Sequence, residues 1–249
     1  MRMRCWNLLV TLAAVSSASA QSFNIDVGTT GSGPPSGYGA AGTPGVWNRV
    51  RAEHMTPFMT GPHPNDYMLV DINGNATGVG LHQYGGMDDL SASDGSVSGS
   101  DADLLNDAMV THSVPLETCV YLNGLQNGAY EVFIYAWRPN NPAFTAKNRF
   151  DFHPGEEFVG GAWPGSHVQG VTYSRHVVQV TSGFMGMHIG IPSGGNTAIG
   201  AAWNGLQIRP LAPGPPAAPA VSSIGAMILV ALIVAISAAV FRREVYRNA

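Results

Sequence analysis

The nine residues 129–137 constrain the fold more than any other stretch of this chain. Their sequence, Ala-Tyr-Glu-Val-Phe-Ile-Tyr-Ala-Trp, is rich in β-branched and aromatic residues, and Gly128 and Pro139 bound it. A short apolar run between turn residues is typical of a strand and not of a helix. Alternation places Tyr130, Val132, Ile134 and Ala136 on one face, and Glu131, Phe133, Tyr135 and Trp137 on the other. Because both faces are apolar, the strand is predicted to lie in the middle of a sheet that is covered on both sides.

Short apolar runs of this kind recur between residues 23 and 208, separated by Gly, Pro and Asn. The chain contains 31 glycines, only 11% of its residues are charged, and no long helix is predicted before residue 222. About ten short strands at fairly even spacing are typical of a sandwich or a barrel. The sequence therefore predicts an all-β fold, an antiparallel jelly-roll-type β-sandwich, with a closed barrel as the alternative.

Two strand pairings are predicted from turn signals. Residues 67–71 and 78–84 flank an Asn-Gly turn and are predicted to form a hairpin. Residues 171–180 and 184–191 are predicted to pair across the three-residue turn Thr181-Ser182-Gly183.

Residues 1–20 have the composition of a secretory signal peptide. Arg2 and Arg4 precede an apolar run, and Ala18-Ser19-Ala20 resembles a cleavage site. Removal of this leader also removes Cys5, so Cys119 would be alone in the mature chain and no intrachain disulfide could form. Cys119 lies in an apolar run and is predicted to be a buried, inert thiol.

The C-terminal region divides into three predicted segments after a sandwich ectodomain at residues 21–212. Residues 213–223 form a Pro- and Ala-rich linker. Residues 224–241 contain Ser237 as their one polar residue and are long enough for a transmembrane helix. Residues 242–249 begin with Arg242 and Arg243, which places this basic tail in the cytoplasm by the positive-inside rule.

A Pro-rich spacer, one transmembrane helix and a C-terminal Arg cluster resemble the PEP-CTERM type of bacterial sorting signal, including its Ile-Pro-Thr-Leu variant. The resemblance implies a bacterial protein that is exported across the inner membrane, attached at the cell envelope or surface, and processed by an exosortase-like enzyme. The sequence departs from the family at its short motif, where Ala218-Pro219-Ala220-Val221-Ser222 replaces Pro-Glu-Pro or Ile-Pro-Thr-Leu. A plain single-span membrane anchor is therefore the alternative.

The two ends of the predicted ectodomain carry a second resemblance. Residues 23–28, Phe-Asn-Ile-Asp-Val-Gly, alternate apolar and polar side chains, which predicts a half-buried opening strand. Residues 203–208, Trp-Asn-Gly-Leu-Gln-Ile, are predicted to form the closing strand. Together they resemble the terminal strands of malectin-like and other galactose-binding-like sandwiches, which implies that the two strands lie side by side.

The charge of the predicted ectodomain excludes one class of partner. Residues 21–212 contain 7 Lys and Arg against 15 Asp and Glu, a formal net charge of −8. Binding to nucleic acid requires a basic surface that neutralises phosphates. No nucleic-acid partner is therefore expected.

Metal binding has weak support in the sequence. The eight histidines show no H-E-x-x-H or H-x-H spacing. The acidic segment 87–107 offers Asp101, Asp103 and Asp107 as candidate Ca²⁺ ligands, although its spacing does not match an EF-hand loop. A solvated loop is the alternative, with one turn of helix over residues 101–107 capped by Ser100 or Asp101. No cofactor is expected apart from this structural Ca²⁺.

Catalytic motifs are not found in the sequence. Glycoside hydrolysis requires two carboxylates across a cleft, and Glu131, Glu156 and Glu157 qualify by residue type alone. No E-x-D-x-x-E or G-x-S-x-G pattern is present. The chain is therefore predicted not to be an enzyme.

Aromatic residues at predicted strand ends and loops are the candidate ligand-binding residues. They are Trp137, Arg138, Trp163 and Tyr173, and Trp163 stands out because turn residues surround it. An exposed aromatic ring stacks on the apolar face of a sugar, while nearby polar groups hydrogen-bond its hydroxyls. The alternative is that these aromatic rings belong to the core.

Three functions follow as hypotheses. The first is a non-catalytic surface protein that binds extracellular polysaccharide or matrix. The second is a structural matrix subunit without a small ligand, and the third is a glycan hydrolase or lyase.

Overall fold

The structure is a computed structural model that describes residues 21–28, 33–51, 67–84, 88–111, 117–141, 143–195 and 200–211. All of these residues fall within one compact unit. The predicted signal peptide, linker, transmembrane helix and basic tail lie outside the described residues. Within the described ranges, no helix is long and apolar enough to cross a membrane.

The described residues form fourteen strands and one short helix. In chain order these are β1 (Phe23–Val27), β2 (Trp47–Val50), β3 (Tyr67–Val70), β4 (Ala76–Tyr84), β5 (Asp88–Ser91), α1 (Gly99–Leu105), β6 (Asp107–Thr111), β7 (Glu117–Asn123), β8 (Gly128–Tyr135), β9 (Ala146–Phe150), β10 (Glu157–Val159), β11 (Tyr173–Val180), β12 (Phe184–Gly190), β13 (Ala201–Trp203) and β14 (Gly205–Pro210).

The strands form two large sheets and one small one. The five-stranded sheet has the order β11-β8-β14-β1-β2, the six-stranded sheet has the order β10-β9-β12-β7-β4-β3, and the small sheet has the order β13-β6-β5. All pairs are antiparallel except β1 with β2. From β7 to β9 the chain passes from one large sheet to the other at each turn, as in a jelly roll. The prediction of an all-β, antiparallel sandwich is confirmed.

Strand β8 is an interior strand of the five-stranded sheet, as the apolar character of both faces of residues 129–137 predicted. It pairs with β11 on one side and with β14 on the other. Tyr130, Val132 and Ile134 face the core between the two large sheets. Phe133 and Tyr135 face a second apolar cluster on the opposite side of the sheet.

The first and last strands lie side by side, as predicted. Phe23 pairs with Ile208 and Asp26 pairs with Gly205 in an antiparallel register. The prediction that the opening strand is half-buried is wrong, because all five residues of β1 are buried. The Asn24 side-chain amide, for example, donates a hydrogen bond of 3.0 Å to the carbonyl of Thr43, in the segment that covers this face.

The hairpin of β3 and β4 is confirmed, since Tyr67 pairs with Leu81 in an antiparallel register. The predicted pairing of β11 with β12 is wrong. Strand β11 pairs with β8 in the five-stranded sheet, whereas β12 pairs with β7 and β9 in the six-stranded sheet. The turn between them carries the chain from one sheet to the other. Its Gly183 N–H donates to the side chain of Asn127 at 3.0 Å, in the turn between β7 and β8.

The predicted closing strand over residues 203–208 is interrupted at Asn204. Trp203 ends β13 in the small sheet, and Gly205 begins β14 in the five-stranded sheet. At Gly205, a Cβ atom would lie 2.6 Å from the carbonyl oxygen of Ile25, so only glycine permits this close approach of the two strands.

Helix α1 lies within the predicted acidic segment but does not begin where the cap was predicted. Its N-cap is Ser98, whose side chain makes no capping hydrogen bond. Leu104 and Leu105 are fully buried in the second apolar cluster. The helix is therefore held by burial of its apolar side, because seven residues are too few to be stable alone.

Candidate functional site

The outward face of the six-stranded sheet brings together a thiol, two imidazoles, and several charged and aromatic side chains. Thr118, Val120 and Leu122 of β7 are buried, so the alternate residues of that strand point outward. This face, called the outer face below, carries Glu117, Cys119, Tyr121 and Asn123 on β7, Phe184 and His188 on β12, Lys147 and Arg149 on β9, and His82 on β4.

Strand register places Cys119 directly opposite His188, and His188 directly opposite Arg149. The Cys119 Sγ atom lies 2.9 Å from Nδ1 of His188. On the other side of the ring, Nε2 of His188 lies 2.6 Å from Oδ1 of Asp151, the residue that follows β9. A thiol, an imidazole and a carboxylate are therefore in direct contact in that order.

The contacts of His188 determine which ring nitrogen carries the proton. The Arg149 Nη2 atom lies 3.1 Å from Nδ1 of His188, and a guanidinium can only donate hydrogen bonds. Nδ1 must therefore be the acceptor, and Nε2–H donates to the carboxylate of Asp151. The Cys119 sulfur lies 2.9 Å from Nδ1 and 3.8 Å from Nε2 of this ring, so it packs against the ring beside the Nδ1 lone pair, which Arg149 contacts.

Two cations hold Glu117 beside this group. The Arg149 Nη2 and Lys147 Nζ atoms lie 2.7 Å and 2.5 Å from its carboxylate oxygens. Burial alone would raise the pKa of Glu117, but the hydrogen bonds from Arg149 and Lys147 lower it to about 2. Glu117 is thus ionised at neutral pH and fixes the position of Arg149 next to His188.

Gly186 makes room for Asp151. A Cβ atom at Gly186 would lie 2.2 Å from Oδ2 of Asp151 and 3.1 Å from the ring of Tyr121. The Asp151 N–H also donates to the carbonyl of Gly186 at 3.0 Å. The glycine therefore lets the carboxylate lie flat on the sheet, within reach of His188.

A row of rings crosses the outer face next to these groups. The ring centroids of His82 and Tyr121 are 5.2 Å apart with an interplanar angle of 33°. Those of Tyr121 and Phe184 are 5.3 Å apart with an angle of 30°. Tyr121 and Phe184 are partly exposed, whereas His82 is buried. We call these three residues the aromatic strip.

Three of the four predicted ligand-binding residues meet on the opposite side of the molecule, in the second apolar cluster. Trp137 is fully buried, and its indole N–H donates to the carbonyl of Gly161 at 2.9 Å. Trp163 packs edge-on against Trp137 at 6.3 Å, and Tyr173 lies 5.9 Å from Tyr135. Trp163 and Tyr173 are partly exposed, so a ligand could reach this cluster through them but not through Trp137.

Arg138, the fourth predicted ligand-binding residue, is not part of that cluster. It is 9% exposed, and its Nε and Nη1 atoms have no hydrogen-bond partner among the described residues. Burial lowers the pKa of its guanidinium. Arg138 is therefore largely buried, unlike the partly exposed Trp163 and Tyr173.

The candidate Ca²⁺ ligands do not converge. Asp101 accepts a hydrogen bond of 2.5 Å from the hydroxyl of Tyr38, whose oxygen lies 2.6 Å from Nε2 of His167. Asp103 is exposed, and Asp107 is buried at the start of β6. No group of three or more His, Cys, Asp or Glu side chains in the described ranges could hold a metal ion.

The candidate glycosidase carboxylates are also separated. Glu131 is 1% exposed on the five-stranded sheet, where Arg175 and Arg209 both bind its carboxylate. Burial alone would raise the pKa of Glu131, but the hydrogen bonds from Arg209 and Arg175 lower it. Glu156 is held by Lys147 at 3.2 Å on the other sheet. The geometry gives Glu131 a structural role.

Sequence reasoning missed the Cys119 site. The prediction that Cys119 is buried is wrong, because alternation along β7 places this residue on the outer face, where it is partly exposed. The sequence does place Cys119 and His188 on the polar faces of two strands. Their contact depends on the pairing of β7 with β12, which turn signals did not reveal because β12 had been paired with β11.

No protein family and no curated protein matches the sequence. Among solved structures, the chain is similar to a calcium binding mutant of beta-glucuronidase 2 from Bacteroides uniformis, with 11% identity, a TM-score of 0.45, and coverage of 77% of this chain and 18% of that chain. It is similar to a chain in the complex of the plant peptide RALF23 with FER and LLG2, with 12% identity, a TM-score of 0.43, and coverage of 78% and 40%.

A third similar structure is the CBM36-1 domain of a multidomain xylanase from the hindgut metagenome of Trinervitermes trinervoides. The identity is 10%, the TM-score is 0.31, and the match covers 54% of this chain and 99% of that domain. The chain thus spans less than half the length of the first two chains that it matches. Similarity at this level assigns neither a family nor a ligand, so the function is argued from the residues of this chain.

Proposed function

We propose that this chain is an exported, envelope-attached β-sandwich that binds extracellular polysaccharide or matrix without transforming it. The leader and the C-terminal segments of the sequence support export and attachment. The arrangement of spacer, apolar segment and Arg cluster in the tail supports an exosortase-like enzyme as a partner, although the short motif differs. The aromatic strip on the outer face is the observation that supports glycan binding most directly.

The exposure of the two sheet faces favours the outer face as the ligand site. On the five-stranded sheet, the outward aromatic residues Phe133 and Tyr135 are 3% and 0% exposed, and Tyr173 of β11 is the partly exposed ring of this face. On the six-stranded sheet, Tyr121 and Phe184 remain partly exposed, with ring centroids 5.3 Å apart and planes tilted by 30°. Two neighbouring exposed rings offer an apolar surface against which a sugar can pack.

Polar groups for sugar hydroxyls lie beside the strip. Asp151 and Arg149 have side chains that are 26% and 33% exposed, and both lie next to His188. Charged groups that are already held by neighbours lose little side-chain entropy when they bind a ligand. An apolar platform flanked by fixed hydrogen-bonding groups is typical of carbohydrate sites.

Polysaccharide retention by the full-length chain tests the proposal. A panel of immobilised glycans is screened first, and the variants Tyr121→Ala and Phe184→Ala are then compared with wild type on the glycan retained. Each variant is expected to weaken retention roughly tenfold, because the loss of one stacked ring costs about 1.4 kcal/mol.

Phe152→Ala is the matched control, because Phe152 is 98% exposed and lies outside the strip. Its retention should equal that of wild type. Trp163→Ala tests the binding site predicted from the sequence. If this variant loses glycan retention while Tyr121→Ala and Phe184→Ala keep it, the ligand binds at the second apolar cluster and not at the aromatic strip. Loss of retention in EDTA would support the Ca²⁺ prediction.

The structural-subunit hypothesis has a different outcome in the same experiment. No retention on any glycan, combined with concentration-dependent self-association of the chain, would replace glycan binding by that role. Release of soluble sugar from a retained glycan would instead favour the hydrolase or lyase hypothesis.

A further inference from the structure

We propose that Cys119, His188 and Asp151 form a nucleophilic thiol site that accepts the acyl group of a carboxylic ester. Cys119 is the nucleophile, His188 is the base, and Asp151 is the positioning residue. This activity goes beyond glycan binding and does not depend on it.

The contact order supports these roles. The thiol of Cys119 is 2.9 Å from Nδ1 of His188, and Nε2 of His188 is 2.6 Å from Asp151. Nδ1 is the ring nitrogen nearest the thiol, and the carboxylate of Asp151 fixes the ring from Nε2. A nucleophile beside a base that a third group orients is the arrangement on which thiol and hydroxyl catalysis depends.

The surroundings of Cys119 favour a protonated thiol in the resting site. The titratable and charged groups around it are Glu117 and Tyr121 on its own strand, His188 on β12, Arg149 on β9, and Asp151 after β9. Burial, and then the carboxylates of Asp151 and Glu117, raise the pKa of the Cys119 thiol, although Tyr121 and Arg149 oppose this. The thiol therefore needs a base at neutral pH, and His188 is in contact with it.

The reaction would proceed in two balanced steps. In the first, Sγ attacks the ester carbonyl carbon, its proton passes to Nδ1 of His188, and the C–O bond breaks as the alcohol leaves with that proton. In the second, water attacks the resulting thioester, His188 takes a proton from the water, and Sγ leaves and recovers the proton. The overall change is ester plus water to carboxylic acid plus alcohol.

Arg149 is placed to stabilise the negative charge that develops on the carbonyl oxygen. Its guanidinium lies on the same side of the His188 ring as the sulfur, and Glu117 holds it there with two contacts of 2.7 Å and 3.4 Å. Glu117 uses only part of the five N–H groups of a guanidinium. Fixed donors aimed at a developing oxyanion supply a large share of the rate in acyl transfer.

The test measures acylation of the full-length chain by p-nitrophenyl acetate. The background variant Cys5→Ser removes the leader thiol, and mass spectrometry of peptides locates the acetyl group. The rate is followed from pH 5 to pH 10 for this background and for Cys119→Ser, His188→Gln and Asp151→Asn. His176→Gln is the matched control, because His176 is also a largely buried histidine but lies in β11, on the other sheet.

The acetyl group is expected on Cys119, with a rate at pH 7 well above that of an unassisted thiol, whose ordinary pKa is about 8.5. His188→Gln should lower the rate at pH 7 about 100-fold or more, the usual contribution of a general base. Asp151→Asn should lower it about tenfold and reduce the yield of released acid, whereas His176→Gln should leave it unchanged. Thermal unfolding of each variant separates loss of reactivity from loss of fold.

Three results would overturn the proposal. One is a rate that rises only near or above pH 8.5, as for an unassisted thiol. Another is a His188→Gln variant with the wild-type unfolding temperature and an unchanged rate. The third is acetylation at lysines with none at Cys119. If His188→Gln does not fold, the Asp151→Asn variant tests the proposal alone. An unchanged acylation rate in that variant would show that the pair of His188 and Asp151 does not assist Cys119.

Discussion

A single buried ionisable residue can set how the stability of this protein depends on pH, and Asp26 is the clearest example. It is 1% exposed, and neither carboxylate oxygen has a hydrogen-bond partner among the described residues. Arg49 lies 3.4 Å away and favours the ionised form, but burial dominates, and Asp107 adds repulsion. Together these effects raise the pKa of Asp26 to about 8.

A carboxyl group with a raised pKa in the folded state makes the protein less stable as pH rises. The loss begins near pH 4, where the unfolded group ionises, and is complete above about pH 8. Asp26→Asn should therefore raise the free energy of unfolding at pH 8 by roughly 1–3 kcal/mol, the usual cost of a buried unsatisfied polar group.

Thermal unfolding of wild type and Asp26→Asn at pH 5 and pH 8 checks this expectation. The stabilising effect should be larger at pH 8. Glu157→Gln is the control, because it neutralises an exposed carboxylate and should have little effect at either pH. A less stable Asp26→Asn variant at pH 8 would mean that the pair with Arg49 outweighs the cost of burial.

At the scale of secondary-structure elements, Asn204 joins pieces of the fold that share no sheet. Its side-chain N–H groups donate to the carbonyls of Leu105 and Asp107 at 3.0 Å, at the end of α1 and the start of β6. Its Oδ1 accepts a hydrogen bond of 2.8 Å from the N–H of Trp137, just after β8. One side chain therefore completes the backbone hydrogen bonding of three elements.

Asn204→Ala should destabilise the protein by about 3 kcal/mol or more, because it leaves three buried backbone groups without partners. Urea denaturation measures this loss. Asn73→Ala, in the exposed turn after β3, is the control and should change stability by less than about 0.5 kcal/mol. Equal effects of the two substitutions would mean that water satisfies the groups around Asn204.

At the scale of the whole molecule, two buried groups shape the pH dependence of stability in opposite directions. Burial, and then the charge of His153, lower the pKa of His176 to about 4. The unfolded histidine binds a proton below about pH 6.5, so stability is lost as pH falls from 6.5 to 4. Asp26 instead causes a loss of stability as pH rises from about 4 to 8.

The wild-type stability curve is therefore expected to be comparatively flat between about pH 4 and pH 6.5, where the two effects oppose each other, and to fall from about pH 6.5 to pH 8. His176→Gln should expose the decline toward pH 8 that Asp26 causes, and Asp26→Asn should expose the decline toward pH 4. Unfolding free energies measured at one-unit pH intervals check both slopes. Parallel curves for wild type and the two variants would contradict this assignment.

The elements predicted well from sequence are those in which local pattern and tertiary environment agree. Residues 129–137 became β8 with the predicted two faces, and the β3–β4 hairpin formed as the Asn-Gly turn predicted. The prediction failed for β11 and β12, which are separated by a turn of hairpin length but join different sheets. A three-residue turn fixes the chain reversal, but it does not select the strand with which each arm pairs.

The candidate site was predictable only in its parts. Cys119, His188 and Arg149 are recognisable as outward residues of strands, and the aromatic strip consists of single rings on three strands. Their juxtaposition depends on the register of β7, β12, β9 and β4, and a shift of one residue would turn each side chain to the opposite face. Trp137 was predicted to bind a ligand because it lies at a strand end. It is instead buried, because helix α1 and the segment near Trp163 cover its ring.

The sequence by itself indicated an all-β fold with residues 129–137 as an interior strand, because period-two burial and turn residues are local properties. The tertiary structure alone decided which strands pair, and therefore which side chains meet. The contact of Cys119 with His188 spans 69 residues, and the contact of His188 with Asp151 spans 37. Contacts at such separations depend on burial of the whole core, which no local pattern specifies.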